Sequence, residues 1–367
     1  MRNAKCRVRN DLPEKALATG DLTRDEIVYL LSREAEVEVK QLLDVADRVR
    51  RECVGDGVHI RGLIEFSNIC RRNCSYCGLR RDNGEVRRYR MPPDEIVAVA
   101  QELDRRGIRT VVLQSGEDPW FTGEIISDIV RRIKSTTDMA VTLCVGERPF
   151  EDYRMWREAG ADRYLLRHET ASPRLYKQLH PDSVQEERLA CLRELKRLGF
   201  QTGAGFMVGL PGQTVEDIAD DILLLKEYDV DMAGIGPFIP HPNTPLADCP
   251  GGDLRLSLKA VALTRIVLRD VLLPATTAMG SIDEFGREKA LTAGANVVMP
   301  NYTPLKYRVN YEIYPNKRCI TEAPALCDGC MRMRILSVGR TIGTGRGDSP
   351  KLTTKAQGTK KSFVSLW

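Results

Sequence analysis

From residue 58 onward, the sequence alternates short apolar runs with amphipathic segments of helical length. The apolar runs predict strands at residues 59–66, 110–115, 139–145, 163–167, 202–208, 232–238, 274–279 and 296–300. Helical patterns separate them, as at residues 93–106, 122–134, 186–198, 214–228 and 254–269. Eight strand–helix units predict an α/β fold, a closed parallel (β/α)8 barrel of the TIM type. An open barrel of six units is the alternative, because the last two units have the weakest pattern.

The regions on either side of the barrel differ from it in pattern. Residues 1–55 predict a helical N-terminal extension, in which Thr23 and Glu26 have the spacing of a capping box. The barrel is predicted over residues 56–310, and a cysteine-containing C-terminal extension over residues 311–338. Residues 339–367 hold six Lys and Arg against one acid, Asp348, and predict a basic, disordered tail.

Composition restricts the class of protein. Apolar residues make up 42% and charged residues 29%, and no apolar run approaches the ~18 residues of a membrane span, so no membrane contact is predicted. The net charge of +4 comes from the tail, and no basic stripe indicates nucleic-acid binding. Eleven cysteines, an odd number, favour a reducing compartment. The prediction is a cytoplasmic, oxygen-sensitive protein, although the Arg-rich N-terminus leaves an organelle address open.

Three cysteines follow the first predicted strand at C-x3-C-x2-C spacing: Cys70, Cys74 and Cys77. Three thiolates can hold three irons of a 4Fe–4S cluster, which leaves the fourth iron open for another ligand. An open iron that binds S-adenosylmethionine is the arrangement that radical chemistry needs. A zinc site would require a fourth nitrogen or sulfur ligand, and the nearest histidines, His59 and His168, are not close in sequence.

Other residues have the chemistry to bind S-adenosylmethionine. Tyr76 suits an aromatic ring that packs beside the adenine, and Ser115 with Glu117 can accept the ammonium group. Arginine binds carboxylates in bidentate geometry, which makes the arginines after the fourth strand and on the next helix candidates for the carboxylate, with an acid between them. These candidates are Arg167, Arg188 and Glu169, and Thr142 on the third strand faces either the cavity or the helices. A plain turn and an ion network without a ligand are the alternatives.

A second cysteine set lies near the C-terminus. Cys319, Cys327 and Cys330 have C-x7-C-x2-C spacing. They could hold an accessory 2Fe–2S or 4Fe–4S cluster or a zinc ion, or remain free thiols. Spacing alone leaves these three interpretations open.

Several long segments carry a resemblance to a known family. They are residues 64–83, 113–119, 164–170, 203–205, 208–213, 234–242 and 274–280, within a similarity that spans about residues 22–335. In these segments the chain resembles the HydE group of FeFe-hydrogenase maturases, which belongs to the radical S-adenosylmethionine superfamily. The region after about residue 340 departs from that family.

The resemblance implies roles for individual residues. It implies a complete barrel in which Cys70, Cys74 and Cys77 hold the 4Fe–4S cluster. It places Arg167, Glu169 and Arg188 around the amino-acid end of S-adenosylmethionine. It also implies an anion or substrate site at Thr276 and Thr277, and a cavity lined by Met299 and Tyr311. The C-terminal cysteines match an accessory cluster that some members lack, so that cluster is expected to be dispensable.

The resemblance also implies an activity. Members cleave S-adenosylmethionine reductively to a 5′-deoxyadenosyl radical and act on an iron complex with CO, cyanide and cysteine, in assembly of the di-iron unit of the hydrogenase. The implied partners are this small organometallic substrate, the other hydrogenase maturation proteins and an electron donor such as a ferredoxin or flavodoxin. The alternatives are a radical enzyme acting on a small amino acid, as methylornithine synthase does, sulfur insertion as in biotin synthase, and a non-catalytic iron–sulfur scaffold.

Overall fold

The computed structural model describes residues 12–321 and 324–352. Six parallel strands form one sheet in sequential order. They are β2 (Gly62–Ser67), β3 (Thr110–Ser115), β4 (Ala140–Cys144), β5 (Arg163–Leu165), β6 (Gln201–Val208) and β7 (Met232–Pro237). Helices α4 (Pro93–Arg105), α5 (Gly123–Thr136), α6 (Phe150–Glu158), α7 (Pro173–Leu179), α8 (Gln185–Arg197) and α9 (Val215–Glu227) connect them. This alternation is the one that the sequence pattern predicts.

The sheet closes into a barrel through its last two positions. Beyond β7, Met232 forms a parallel bridge with Leu272, and Pro274 forms one with Val297. Strand β8 (Val297–Val298) then pairs in parallel with β1 (Gly57–Ile60), which precedes β2. Eight strand positions therefore complete the ring, which confirms the (β/α)8 barrel and excludes the open form.

The predicted strand at residues 274–279 is wrong. The seventh position consists only of the bridges at Leu272 and Pro274, because proline has no N–H to donate to a ladder. Helix α11 (Thr277–Ile282) then begins within the predicted strand. The predicted strand at residues 59–66 is divided into β1 and β2 by Arg61, and the strand predicted at residues 296–300 is shortened to β8.

The N-terminal helices belong to the same core as the barrel. They are α1 (Leu12–Ala18), α2 (Arg24–Leu31) and α3 (Glu36–Val54), and the capping box at Thr23 is present. Three further helices follow β7 in the chain: α10 (Leu254–Leu268), α12 (Gly286–Thr292) and α13 (Leu305–Arg308). Ala46 of α3 and Ile266 of α10 are fully buried in one apolar cluster, and the Lys259 Nζ of α10 donates to the Leu31 carbonyl at 2.6 Å. The extension is therefore packed on the barrel wall.

The C-terminal segment closes the end of the barrel at which the strands begin. After α14 (Pro324–Ser337), strand β9 (Thr341–Ile342) pairs with β1. Asp348 lies 2.6 Å from the guanidinium of Arg163, the fully buried first residue of β5, and accepts from Gln201, the first residue of β6, at 2.8 Å. Residues 339–352 thus form a floor beneath the N-terminal ends of the strands.

The predicted disordered tail is therefore wrong for residues 339–352, because Asp348 supplies the carboxylate that a buried arginine requires. Residues 353–367 lie outside the described residues. Within the described ranges, no helix is long and apolar enough to cross a membrane.

Candidate active site

Residues 68–90, here called the cysteine loop, leave β2 and return to it. Ser67 forms an antiparallel bridge with Arg90, and the Met91 N–H donates to the Phe66 carbonyl at 2.8 Å. The loop carries Cys70, Cys74 and Cys77, all with free thiols. It stands at the C-terminal end of its strand, the end at which barrel enzymes hold their chemistry.

One arginine braces the cysteine loop from within. The Arg88 guanidinium donates to the carbonyls of Asn68 (2.7 Å), Leu79 (2.9 Å), Arg80 (2.7 Å) and Asn83 (3.1 Å). The planar guanidinium has five N–H donors in a fixed arrangement. It therefore fixes backbone positions on both sides of the three cysteines.

The segment after β3 lies directly against the cysteine loop. The Arg71 N–H donates to the Glu117 carbonyl at 3.0 Å, and the Glu117 N–H approaches the Cys70 Sγ at 3.4 Å. A Cβ placed on Gly116 would lie 2.3 Å from the Ile69 carbonyl oxygen, so only glycine permits this approach. The Ser-Gly-Glu sequence is therefore part of the seat of the cysteines.

Burial dominates the pKa of the three thiols, and the charge of Cys70 adds to it at Cys74 and Cys77. Burial raises the pKa of Cys70, raises that of Cys74 well above its usual value, and raises that of Cys77 to about 12. Metal binding would therefore release protons here. In the described part of the chain, no three Cys, His, Asp or Glu side chains converge on a single metal ion. A cubane does not require such convergence, because each thiolate binds a different iron.

Glu117 is engaged in a buried ion network. Its carboxylate accepts from Arg71 at 3.0 Å and Arg72 at 2.7 Å, and from the Glu147 N–H at 2.9 Å. These three donors leave the Glu117 carboxylate little acceptor capacity, so its role toward a ligand ammonium stays a prediction. Ser115 Oγ donates to the Gly116 carbonyl at 2.7 Å, which leaves its lone pairs available.

Glu147 is a site residue that sequence reasoning missed. It is 4% exposed and contacts Arg72 at 2.7 Å and Arg188 at 2.8 Å. Burial alone would lower the pKa of Arg188, but the Glu147 carboxylate raises it well above its usual value. The available signal was an acid shortly after a barrel strand, the same kind of position as that of Glu117.

Arg188 is held by several partners and keeps free donors. Its Nε donates to the Tyr176 hydroxyl at 2.9 Å, and another nitrogen donates to the Arg167 carbonyl at 2.9 Å. With Glu147, these contacts use three of the five N–H donors of a guanidinium. Two donors remain for a ligand.

Four buried polar atoms on the barrel strands or just after them have no hydrogen-bond partner among the described residues: Thr142 Oγ1, Arg167 Nε, Glu169 Oε2 and Thr276 Oγ1. Glu169 Oε2 lies 3.3 Å from an Arg167 nitrogen, outside hydrogen-bond geometry. Glu169 also has a φ of 66°, a left-handed conformation that is costly for a residue with a Cβ. Unsatisfied buried atoms are rare in native structures, and these fit a ligand with amino and carboxylate groups.

Tyr76 lies in a small apolar cluster with Leu179, Met207 and Phe238. Its hydroxyl is 3.2 Å from His180 Nε2, and burial raises its pKa well above the usual value. An apolar setting with one polar contact suits a ring that packs against a flat ligand.

The predicted substrate residues are divided between two places. Thr277 and Met299 line a cavity of about 200 Å³, which lies away from the cysteine loop and beside α14. Tyr311 is buried, with Lys317 Nζ 5.0 Å from its ring centre. Lys317 lines the same cavity and forms a buried ion pair with Glu65, an interaction that the sequence did not indicate.

The C-terminal cysteines share that cavity in part. Cys319 and Cys330 both line it, and Cys330 is exposed. The side chain of Cys327 lies outside the described side chains. The accessory cluster therefore remains a prediction.

Comparison with known proteins agrees with this geometry. The Radical SAM superfamily model matches residues 64–225. The chain is 55% identical to the [FeFe] hydrogenase maturase subunit HydE of Thermotoga maritima, over 90% of this chain and 95% of that protein. It is 29% identical to 3-methylornithine synthase of Methanosarcina acetivorans, over 82% of this chain and 86% of that protein.

Structural comparison supports the fold. The crystal structure of methylornithine synthase (PylB) superimposes with a TM-score of 0.81 and 24% identity, covering 90% of this chain and 97% of that one. The chain also carries the cysteine loop and the mouth residues expected of an enzyme that uses a 4Fe–4S cluster and S-adenosylmethionine. It belongs to the radical S-adenosylmethionine superfamily and, within it, to the HydE family of hydrogenase maturases.

Proposed function

We propose that this chain acts in assembly of the di-iron unit of FeFe-hydrogenase, on an iron complex with CO, cyanide and cysteine. One observation carries the proposal: three half-buried thiols lie in a braced loop at the C-terminal end of the barrel, where the buried atoms Arg167 Nε and Glu169 Oε2 have no hydrogen-bond partner among the described residues. The identity of 55% to a HydE maturase supports the substrate class. The role of each residue below is part of the same proposal.

Cys70, Cys74 and Cys77 would hold the 4Fe–4S cluster, and S-adenosylmethionine would bind beside them. When bound, this pair supplies reductive cleavage of the sulfonium to a 5′-deoxyadenosyl radical. The protein binds, orients and excludes water, as the burial of the mouth residues allows. Cytoplasmic location and an external electron donor, a ferredoxin or flavodoxin, belong to the proposal.

The amino-acid end of S-adenosylmethionine would contact Arg167, Glu169 and Arg188. Arg167 Nε and Glu169 Oε2 are unsatisfied, and Arg188 keeps two donors. Thr142 and Ser115 offer hydroxyl groups at the same mouth, and Tyr76 offers a ring face for the adenine. Glu117 would act from behind, by holding the arginines of the cysteine loop.

The substrate would bind near Thr276, Thr277, Met299 and Tyr311. Thr276 Oγ1 is buried without a hydrogen-bond partner among the described residues, and the Arg287 guanidinium donates to Thr277 Oγ1 at 3.2 Å. Small polar groups with a nearby cation suit a small, negatively charged complex. Cys319, Cys327 and Cys330 would hold an accessory cluster that is dispensable for this reaction.

The test uses anaerobically reconstituted protein with dithionite and S-adenosylmethionine. We expect 5′-deoxyadenosine from the wild type and a large loss of ligand binding in Arg188→Ala. Arg197→Ala on the same helix is the control, because that side chain is 64% exposed. Unchanged cleavage in Arg188→Ala would refute the assignment of the carboxylate contact, and no cleavage by the wild type would support an iron–sulfur scaffold.

A second experiment separates the maturase from amino-acid chemistry, which the likeness to methylornithine synthase makes the main rival. The reduced protein is incubated with S-adenosylmethionine and candidate amino acids, and products are followed by mass spectrometry. We expect no rearranged amino acid. Conversely, deletion of the gene should leave a hydrogenase without its di-iron unit, and an intact hydrogenase would rule out the maturase role.

A further inference from the structure

The cysteine loop carries an unusual concentration of positive charge. Residues 71–90 contain seven arginines against two acids, a net charge of +5 where the whole chain has +4. The arginines are Arg71, Arg72, Arg80, Arg81, Arg87, Arg88 and Arg90. Only arginines that the fold does not use can serve an external partner.

Three of the seven are used inside the molecule. Arg72 binds Glu117 and Glu147, Arg88 braces the loop through four carbonyls, and Arg90 pairs with the buried Asp118 at 2.8 Å. Their side chains are therefore committed to the site and its support.

The other four form what we call the arginine rim: Arg71, Arg80, Arg81 and Arg87. Arg71 contacts Glu117, yet its side chain is 50% exposed. The Arg81 side chain is 55% exposed and lies 3.2 Å from Asp82 and 3.5 Å from Asp182. Arg80 and Arg87 have no ion pair within the described residues, and Arg87 is exposed. Acids of the fold therefore offset part of the charge of Arg71 and Arg81, whereas Arg80 and Arg87 keep a charge with no acidic partner among the described residues.

The rim is rigidly joined to the cysteines. The Arg81 N–H donates to the Arg72 carbonyl at 2.8 Å, and the Arg80 carbonyl accepts from Arg88. Arg80 and Arg81 follow Cys77 by three and four residues. A protein seated on the rim would therefore lie next to the loop that holds the proposed cluster.

We propose that the arginine rim is the docking surface for an acidic one-electron carrier protein. The inference rests on the proposed function, in which each cleavage consumes one electron. The carrier is oxidised by one electron as the cluster is reduced by one, and no bond is formed. Electron-transfer complexes bury small, transient interfaces, and opposite charge accelerates their formation. Four arginines on one short, braced loop provide that kind of surface, and a nucleic acid would need a longer basic track.

The test is the double variant Arg81→Glu/Arg87→Glu. Its rate of 5′-deoxyadenosine formation is measured with a reduced acidic ferredoxin and, separately, with dithionite. We expect at least a ~10-fold lower rate with ferredoxin at low ionic strength, since steering raises association by about 10–10³-fold. The rate with dithionite should change by less than about twofold. The wild-type rate with ferredoxin should fall with added salt, because the Debye length shortens.

The control reverses two exposed cations elsewhere, Lys40→Glu/Arg48→Glu on α3, which are 73% and 64% exposed. Equal loss with ferredoxin in the rim and control variants would overturn the proposal, as would a salt-independent wild-type rate. If the double variant lost its dithionite rate as well, the single variant Arg87→Gln would replace it, with the same two donors. Failure of the wild type with dithionite would instead refute the proposed function.

Discussion

The two sets of cysteines lie in very different surroundings. Cys70, Cys74 and Cys77 are partly shielded, and their loop is fixed by Arg88 and by the ion network of Glu117 and Glu147. Cys330 is exposed on a helix, and Cys319 has a left-handed φ of 63° in an irregular segment. The protein therefore preorganises one set before any metal arrives and leaves the other at a cavity edge.

This difference indicates where precision is required. A group that must bring an open iron to a ligand needs fixed geometry, which supporting hydrogen bonds supply. A group without that task can be lost with little effect on the reaction.

The largest contrast should come from removing one thiol of each set. Cys74→Ala should reduce cleavage of S-adenosylmethionine to background, because one of three cluster ligands is lost. Cys330→Ala should keep the rate within about twofold. That change is smaller than the loss of about 10–100-fold that follows when a residue supporting a required metal site is removed. The readouts are 5′-deoxyadenosine formation and iron per chain. Equal loss in both variants would contradict the contrast.

Glu147→Gln should destabilise the site by leaving Arg188 without its carboxylate. Removing one partner of a buried ion pair costs about 3–5 kcal/mol, and Glu147 is 4% exposed. The free energy of unfolding would be measured in urea, together with the affinity for S-adenosylmethionine. The matched control is Glu151→Gln, whose side chain is 67% exposed. A loss no larger than that of the control would show that Glu147 does not position Arg188.

Arg88→Gln should loosen the cysteine loop without removing a ligand. It deletes hydrogen bonds to four carbonyls, and their net contribution is about 2 kcal/mol or more. We expect faster proteolysis between Cys77 and α4 and poorer retention of iron by the first set only. Arg87→Gln, one residue earlier and without an ion pair, serves as the control. Iron lost equally from both cysteine sets would contradict the assignment of the brace to the first.

Acidification should weaken the seat of the first set. Burial lowers the pKa of His180, which contacts Tyr76, well below its usual 6.5, and lowers that of His241, which lies against Gly78. The unfolded chain therefore binds protons that the folded chain does not. Stability is present above pH 6.5 and is lost as the pH falls below it.

The measurement is urea unfolding from pH 7 to pH 5 of wild type and His180→Gln. The variant should have a shallower dependence, by up to about 1.4 kcal/mol per pH unit. None of the four histidines lines the cavity of the C-terminal cysteines. Protonation of a histidine should therefore not change the retention of iron at that cavity. An identical slope in the variant would show that His180 protonates normally in the folded state.

The fold could be predicted where apolar periodicity is regular. Six of the eight strands were placed within two residues, because each is a buried run between turn signals. The seventh failed because Pro274 bridges without a ladder, so that the apolar run at residues 274–279 passes into a helix. The C-terminal floor was missed because the partners of Asp348, Arg163 and Gln201, are distant in sequence.

The site could be predicted where spacing determines it and missed where partners are non-local. The cysteines are separated by fixed intervals, and the structure places all three on one loop that Arg88 braces. Glu117 contacts Arg71 and Arg72. The sequence alone does not distinguish an acid at a strand end that binds an arginine from one that binds a ligand. Glu147 and Lys317 were missed for the same reason, since each acts through a contact that folding creates.

The pairing of β1 has a consequence for synthesis. Its neighbours are β8 and β9, and Gly57 pairs with Thr341, about 280 residues later. At roughly 5–20 residues per second, a ribosome needs roughly 15–60 s to deliver that partner. Until then the first strand has exposed N–H and C=O groups on both edges, which are templates for association with other chains. The pairing of this strand is therefore completed late, only after both β8 and β9 have been made.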